Sequence, residues 1–487
     1  MNTRGKTVWA ALAAAALAAT ATGCTSHDTG SPTSASSAPA ASPTPTPSLN
    51  FQAGAAGIGD PYYPTYGNGG YDVASYAIKV KYDPKTNRLN GDVTVTAAAT
   101  ADLSTFNLDL RGMTVRSVAV DEKPATQTRT GNELVITPDH GLATGVKFTV
   151  RVVYDGVPGS VTDPEVGKMG FFHTADGAFV VGEPESASLW FPVNDHPQDK
   201  ATYDVQVTVP AGLTAISNGV PGPQQTEAGW TTWKWSESKP MASYLTTLAI
   251  GDYRVVNSTH KGKPVVLGVT KQLAKGAADT SMSHTVAIAD YLESVFGAYP
   301  FDSYGGVVVK DDDLHFALEC QSRPVYSAGF FRRGVNDSVV VHELAHQWFG
   351  DSVSVKTWQD IWLNEGFASY AEWLWAEHKH ESTAQAIFDN VYKNSDASIW
   401  RTPPAKPGKK ELFGDSPYDR GAMALHALRK AVGDKAFFEI LKKWAEQKAD
   451  GVATTDEFVT LAEQVSGKQL DAVFQAWLFG TKKPAKP

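Results

Sequence analysis

Cysteine is nearly absent from this chain: 487 residues hold two, Cys24 and Cys320. The first ends an N-terminal apolar stretch, which leaves Cys320 without an internal partner and excludes a disulfide frame. Blocks of lysine or arginine are missing too. The chain carries 43 Lys and Arg against 52 Asp and Glu, a formal net charge of −9. Binding a phosphate backbone needs a concentrated basic face, so no nucleic-acid partner is expected. Internal repeats are absent. The apolar stretch TVWAALAAAALAATAT at 7–22 is too short and too rich in alanine to read as a membrane span.

What is present is ample material for packed cores, with 13 tryptophans, 17 tyrosines and 21 phenylalanines. The length exceeds one ordinary core and predicts two or three domains. The apolar stretch follows the short positive segment MNTRGK and leads into ATGC. This resembles a bacterial lipoprotein signal over 1–23, cleaved before Cys24, with lipid on the Cys24 sulfur. The alternative is an ordinary secretory signal with an incidental cysteine, and either reading exports the protein. Residues 24–50, rich in Ser, Thr, Pro and Ala, cannot bury a core and read as an extended tether.

From 51 to 255 the pattern has period two. YAIKVKYD sets Ile78, Val80 and Tyr82 against Lys79 and Lys81, and turn clusters such as DPKTN separate such runs. These features predict an all-β domain. From 256 to 480 helical spacing takes over, as in SHTVAIADYLESVFGAYP, with one buried strand at GGVVVKDDD. Residues 481–487 form a frayed tail. The expected fold is multidomain, β followed by α+β.

The chemistry concentrates in HELAHQWFG and WLNEGFASY, which begin at His342 and Trp362. On a helix, positions four apart share one face, so His342 and His346 can both aim a ring nitrogen at one ion. Imidazole suits zinc. Glu365, on a second helix, supplies a third ligand and leaves the fourth position open, which marks a catalytic rather than a closed site. Glu343, one step round the first helix, can take a proton from a water that zinc acidifies. The histidine motif alone is not specific, but its downstream glutamate makes it so. The neighbouring tryptophans 348, 358, 362, 373 and 375 read as core packing.

These segments resemble the zinc aminopeptidases of the aminopeptidase N and leukotriene hydrolase family. The resemblance covers about 70–480 and implies a saddle-like β domain followed by a thermolysin-like, mainly helical catalytic domain. It implies one zinc ion on His342, His346 and Glu365, with Glu343 as general base. In SPYDRGAMALHALR it implies that Tyr418 donates to the oxyanion. HFALECQSRPVYS resembles the family's Gly-x-Met-Glu-Asn strand and makes Glu319 an acid that binds the substrate's α-amine. Phe316, Leu318 and Cys320 depart from that strand's pattern. GEPESASLWFPVNDHP puts Glu183 on a second amine-binding position, with Glu185 two residues away.

The implied form is a short lipoprotein of the actinobacterial type, without the helical C-terminal domain of longer members. The expected partners are peptides with a free N-terminus and, through lipid alone, a membrane on its extracellular face; the expected state is a monomer. The leading expectation is an aminopeptidase. The same scaffold could serve an endopeptidase, a bifunctional hydrolase or a non-catalytic peptide-binding lipoprotein. Asp311–Asp313 read as a solvated acid run, His378 and His380 as a helix-end cap, and Asp360 as a candidate to orient a zinc histidine.

Overall fold

Period two in the sequence becomes strands with one face buried. Strand Tyr71–Asp83 pairs antiparallel with Arg88–Ala99, placing Ile78 opposite Val93 and Tyr82 opposite Leu89. The turn between them passes through Asn87 at φ 55°. A register shift between Val73 and Ser75 changes the parity of the first strand, so Tyr71 and Val73 before it and Tyr76 and Ile78 after it all face inward. Strand Ala201–Pro210 runs parallel beside Tyr71–Asp83 and antiparallel to Trp230–Met241. These belong to a nine-stranded sheet, flanked by sheets of four and five strands whose inner faces form the β-domain core.

The computed structural model describes residues 49–164 and 166–487. The expected leader, Cys24 and nearly all of the tether lie outside the described residues.

A further five-stranded sheet opens the second half of the chain: Tyr253–His260, Lys263–Thr270, Tyr304–Val309, Val325–Ser327 and Ala317–Leu318. The change of pattern expected between 255 and 256 falls inside the first of these strands. Tyr304–Val309 is buried at every position, as an unbroken run flanked by parallel neighbours requires. Helices follow from Ala277 to Phe474 and pack as the catalytic half. A β-rich N-terminal domain thus precedes a helical catalytic domain.

The two halves are joined by buried polar side chains rather than by a flexible linker, and Leu49–Pro487 form one compact unit. Arg323, fully buried, donates to the carbonyls of Ser217 and Gly219 on the β side and of Val266 and Tyr304 on the catalytic side. Gly305 makes room for it, since a Cβ there would lie 1.7 Å from the guanidinium. Lys200 reaches from the β domain to the carbonyls of Asp351 and Ser352, at 2.7 and 2.9 Å. Burial lowers its pKa to about 8.

Replacing Arg323 by Leu strands four buried carbonyls and should cost about 3 kcal/mol or more. Chemical denaturation of the purified protein measures this. An unchanged midpoint would show that Arg323 does not hold the halves together.

Candidate metal centre

Helix Asp337–Ala345 starts where the Asn336 side chain accepts from the Val339 N–H, and carries His342 and Glu343. His346 caps its C-terminus, still in the right-handed helical region. The chain then turns through Gly350, at φ +133°, where a Cβ would lie 3.1 Å from Nδ1 of His346. Helix Trp362–His378 returns alongside and brings Glu365 under both imidazoles.

Nε2 of His342 lies 3.2 Å from Oε2 of Glu365, and Nε2 of His346 lies 3.4 Å from the same oxygen. Ligands about 2.0–2.1 Å from a tetrahedral zinc sit about 3.3 Å from one another. Both imidazole–carboxylate distances therefore match zinc spacing, and one ligand atom from each of the three side chains lies within 4.8 Å of the others. Each histidine's other nitrogen is occupied. Nδ1 of His342 is 2.8 Å from Oε1 of Glu372, and Nδ1 of His346 is 3.0 Å from the Phe349 carbonyl. A proton on each Nδ1 leaves Nε2 bare toward the ion.

Charge makes the same demand. Glu183, Glu319, Glu343 and Glu365 are all buried around one cavity, whose lining offers two imidazoles at its base, His315 near its edge, and no Lys or Arg among the described residues. Burial would raise the Glu365 carboxyl, but the two histidines overcome it and hold it at about 2. Burial lowers His346, yet Glu365 and Glu319 outweigh it and carry the ring up to about 9. Glu343 is pushed up to about 8, first by burial. Burial, and then Glu319, raise Glu183 well above the carboxylate range. Burial thus keeps several of these acids from ionising for want of a cation, and a dication on the His342–His346–Glu365 donor set would let them ionise.

Tyr418 stands over the site from a π-helical turn, Ser416–Arg420. Its ring lies parallel to that of His342, centroids 6.0 Å apart. Burial first, then Glu365, raise its pKa, so the phenol keeps its proton. Two devices hold it there. Buried Arg420 donates to carbonyls of six residues, Ile399, Trp400, Thr402, Ala476, Trp477 and Gly480. Gly366 and Gly421 face each other so closely that a Cβ on either would lie 2.9 Å from the other's Cα. That contact sets the helix of Glu365 against the segment of Tyr418.

Glu319 follows edge strand Ala317–Leu318. Its Oε1 accepts from the Tyr244 hydroxyl at 2.8 Å, and its carbonyl accepts from the Gln347 side chain at 2.8 Å. Glu183 lines the same cavity and its Oε1 has no hydrogen-bond partner among the described residues. Glu185, two residues on, is engaged elsewhere, by Tyr66 at 2.8 Å and by Arg111. The cavity, of about 570 Å³, continues past these groups between Val166, Phe316, Phe330 and Phe413. Cys320 is buried, and burial pushes its thiol up, as for an inert core residue.

Asp360 does not orient a zinc histidine: it accepts from the backbone and hydroxyl of Thr455 at the start of another helix. Glu372 has the place considered for it. It lies seven residues after Glu365, two turns along the same helix face, a spacing visible in the sequence. Tyr244 has no such signal, because it comes from the β domain. Asp312 and Asp313 pair with Arg332 and Lys168 at the surface, and His378 stacks on Tyr291. Tryptophans 348, 358, 362 and 373 are buried in the core, and Trp375 packs against it.

Residues 72–245 match the peptidase M1 N-terminal domain, and residues 324–477 match the peptidase family M1 domain. Among curated proteins, the chain is 29% identical to aminopeptidase N of Streptomyces lividans over 58% of its own length and 36% of that protein's. It is 28% identical to glutamyl aminopeptidase of Rattus norvegicus, covering 61% of this chain and 33% of the other. The chain thus spans about a third of the length of these relatives. The crystal structure of the M1 zinc metallopeptidase from Deinococcus radiodurans is similar over 88% of this chain and 98% of that one, with a TM-score of 0.81 and 30% identity. A mutant of that protein bound to a Tyr-Ser-Ala substrate matches equally well, at 0.81.

Glu372→Gln removes the carboxylate behind His342 and should weaken zinc binding about 10–100-fold. Competition with a chromogenic chelator reads the affinity directly. Unaltered affinity would mean that His342 needs no partner.

Proposed function

This chain belongs to peptidase family M1, and on that premise we propose that it is a zinc-dependent aminopeptidase, releasing single residues from the free N-termini of peptides. The observation that carries the reading is the pair of buried acids, Glu319 and Glu183, beside the three metal donors in one cavity. Two carboxylates short of a cation are a receptor for an ammonium group. Tyr244 occupies one oxygen of Glu319, which leaves the other for that ammonium. A substrate held by its α-amine there presents its first peptide bond, and no later one, to His342, His346 and Glu365.

Zinc bound to those residues would polarise the scissile carbonyl and lower the pKa of water. Glu343 accepts a proton from the attacking water and returns it to the leaving amine nitrogen. The Tyr418 hydroxyl donates to the oxygen that gains negative charge. The backbone of Ala317–Leu318, an edge strand, offers hydrogen bonds to an extended peptide.

The full zinc-loaded chain should remove residues stepwise from free peptides and leave N-acetylated ones intact, with products identified by mass. Glu343→Ala should keep zinc and lose turnover, and Tyr418→Phe should lower kcat about 10²–10³-fold. Equal cleavage of acetylated peptides would overturn amine recognition in favour of an endopeptidase. Zinc binding without any turnover would favour a binding protein.

The leader and tether support a lipid anchor on Cys24, holding the enzyme at the extracellular face of the membrane. Among the described residues no helix is long and apolar enough to cross a membrane. Mass spectrometry of the mature N-terminus should find lipid on Cys24, and Cys24→Ala should release the protein to the medium. An unlipidated mature N-terminus beyond residue 24 would leave ordinary secretion.

A further inference from the structure

The catalytic cavity extends beyond the acids that surround the metal donors. One ligand atom from each of Glu319, Glu343 and His346 lies within 4.8 Å of the others, so the acids gather toward the C-terminal end of helix Asp337–Ala345. The cavity also reaches the start of that helix, where Asn336, Ser338 and Val339 line it. Val339 stands about two turns, or about 10 Å along the axis, from His346. Two phenylalanines complete this far end. Strand Ala317–Leu318 pairs antiparallel with Val325–Ser327, Ala317 opposite Tyr326. Phe316, one residue earlier, thus comes level with Ser327. The Ser327 hydroxyl donates to the Leu314 carbonyl at 2.7 Å and accepts from the Gly329 N–H at 3.2 Å, which caps the short turn Ala328–Phe331. In that turn Phe331 is buried against the Tyr326 ring, and Phe330 is left on the cavity. Phe316 stands where the family's strand pattern has glycine, so this chain puts a ring where that pattern has no side chain.

Polar groups at this end are already engaged with one another. The Ser338 hydroxyl donates to Glu372. Oδ1 of Asn336 accepts from the Val339 N–H at 3.4 Å, and its Nδ2 donates to the Phe330 carbonyl at 3.3 Å. The rings are not engaged. Phe316 and Phe330 are each half-buried, packed against the core on one side, and no aromatic ring among the described residues stacks on either. Apolar surface that faces a substrate cavity is best covered by an apolar side chain.

We propose that Phe316 and Phe330, with Val339, form the pocket for the second residue of the substrate and select an apolar, above all aromatic, side chain there. The inference rests on the aminopeptidase reading, which seats the substrate's α-amine at Glu319 and Glu183. A peptide held there and extended along edge strand Ala317–Leu318 passes its first peptide bond over the metal donors. Its second residue then points toward the start of the helix. Phe316 precedes Glu319 by about 10 Å of strand, at about 3.3 Å per residue, within reach of a side chain at that position. A charged second residue finds no counter-ion: the lining offers no Lys or Arg among the described residues, and Glu372 is taken by His342 and Ser338. Aromatic side chains bring the largest apolar area and match the two free rings.

The test measures kcat/KM of the full zinc-loaded chain on tripeptides Ala-X-Ala, with X glycine, leucine, phenylalanine, lysine or aspartate. Phenylalanine should exceed glycine, lysine and aspartate by about tenfold or more, the discrimination an apolar pocket supplies. Phe316→Gly and Phe330→Ala should each cut that ratio to about threefold or less, and Phe316→Leu, still apolar, should keep an intermediate ratio. A merely structural role would slow all five peptides by one factor and leave the ratio unchanged, which would overturn the proposal. The series X-Ala-Ala and Ala-Ala-X locate the pocket: if Phe316→Gly flattened a preference at the first or third residue instead, the assignment to the second would be wrong. Equal rates across Ala-X-Ala in wild type would overturn the inference and leave the aminopeptidase reading standing. If no peptide were turned over, that reading would fall. The same ranking, read as Kd by calorimetry on the zinc-loaded chain, would then decide the pocket, a flat series overturning it and tenfold tighter binding of the phenylalanine peptide upholding it.

Discussion

Buried negative charge is the constraint on which this structure turns. Four buried glutamates surround two histidines in one cavity, where charges are screened far less than at the surface. Such a cluster is stable only if positive charge arrives from outside the chain. The donor geometry directs one dication to His342, His346 and Glu365. The acids not consumed by it, Glu319 and Glu183, lie beside it, where the proposed function seats a singly charged ammonium. On that proposal one electrostatic shortage accounts for both the metal and the amine.

Much of the scaffold exists to hold these groups against their mutual repulsion. The glycine contact between 366 and 421 brings two helices closer than any side chain would permit. Arg420 gathers carbonyls from two neighbouring segments and so fixes the turn that presents Tyr418. Arg323 and Lys200 do comparable work between the halves, Arg323 trading its hydration for carbonyls on both sides and Lys200 for carbonyls of the other half. Guanidinium suits this role because its planar fork meets several acceptors at once. The β domain is therefore part of the site: it supplies Glu183 directly and orients Glu319 through Tyr244.

A second pair of buried acids, Asp109 and Glu133, faces across two strands of the β domain, where the Asn68 amide donates to Asp109. Asp109 also accepts from the Asp195 N–H, which ties this pair to the segment that runs on from Glu183 and helps the N-terminal domain steady the wall of the cavity.

The metal donors were determined by the sequence alone. A pair at i and i+4 on a helix, with a glutamate at fixed distance, encodes its own geometry, because helical periodicity is local. Alternation of apolar residues likewise specified strands such as Lys147–Gly156 and Ala201–Pro210 and their inward faces, but not the register shift at Val73–Ser75 that reverses parity within Tyr71–Asp83. Glu372 was equally legible, at seven residues from Glu365, but only once the orientation of His342 is known does its role follow. What the tertiary structure decided is everything that depends on contacts between distant segments. It put Glu183 on the cavity wall and engaged Glu185 with Arg111 and Tyr66. It gave Tyr244 to Glu319 across 75 residues, sent Asp360 to Thr455 instead of a histidine, and set Asp109 against Glu133. No local pattern carries such information, since a side chain's partner depends on where the chain returns, not on its neighbours in sequence.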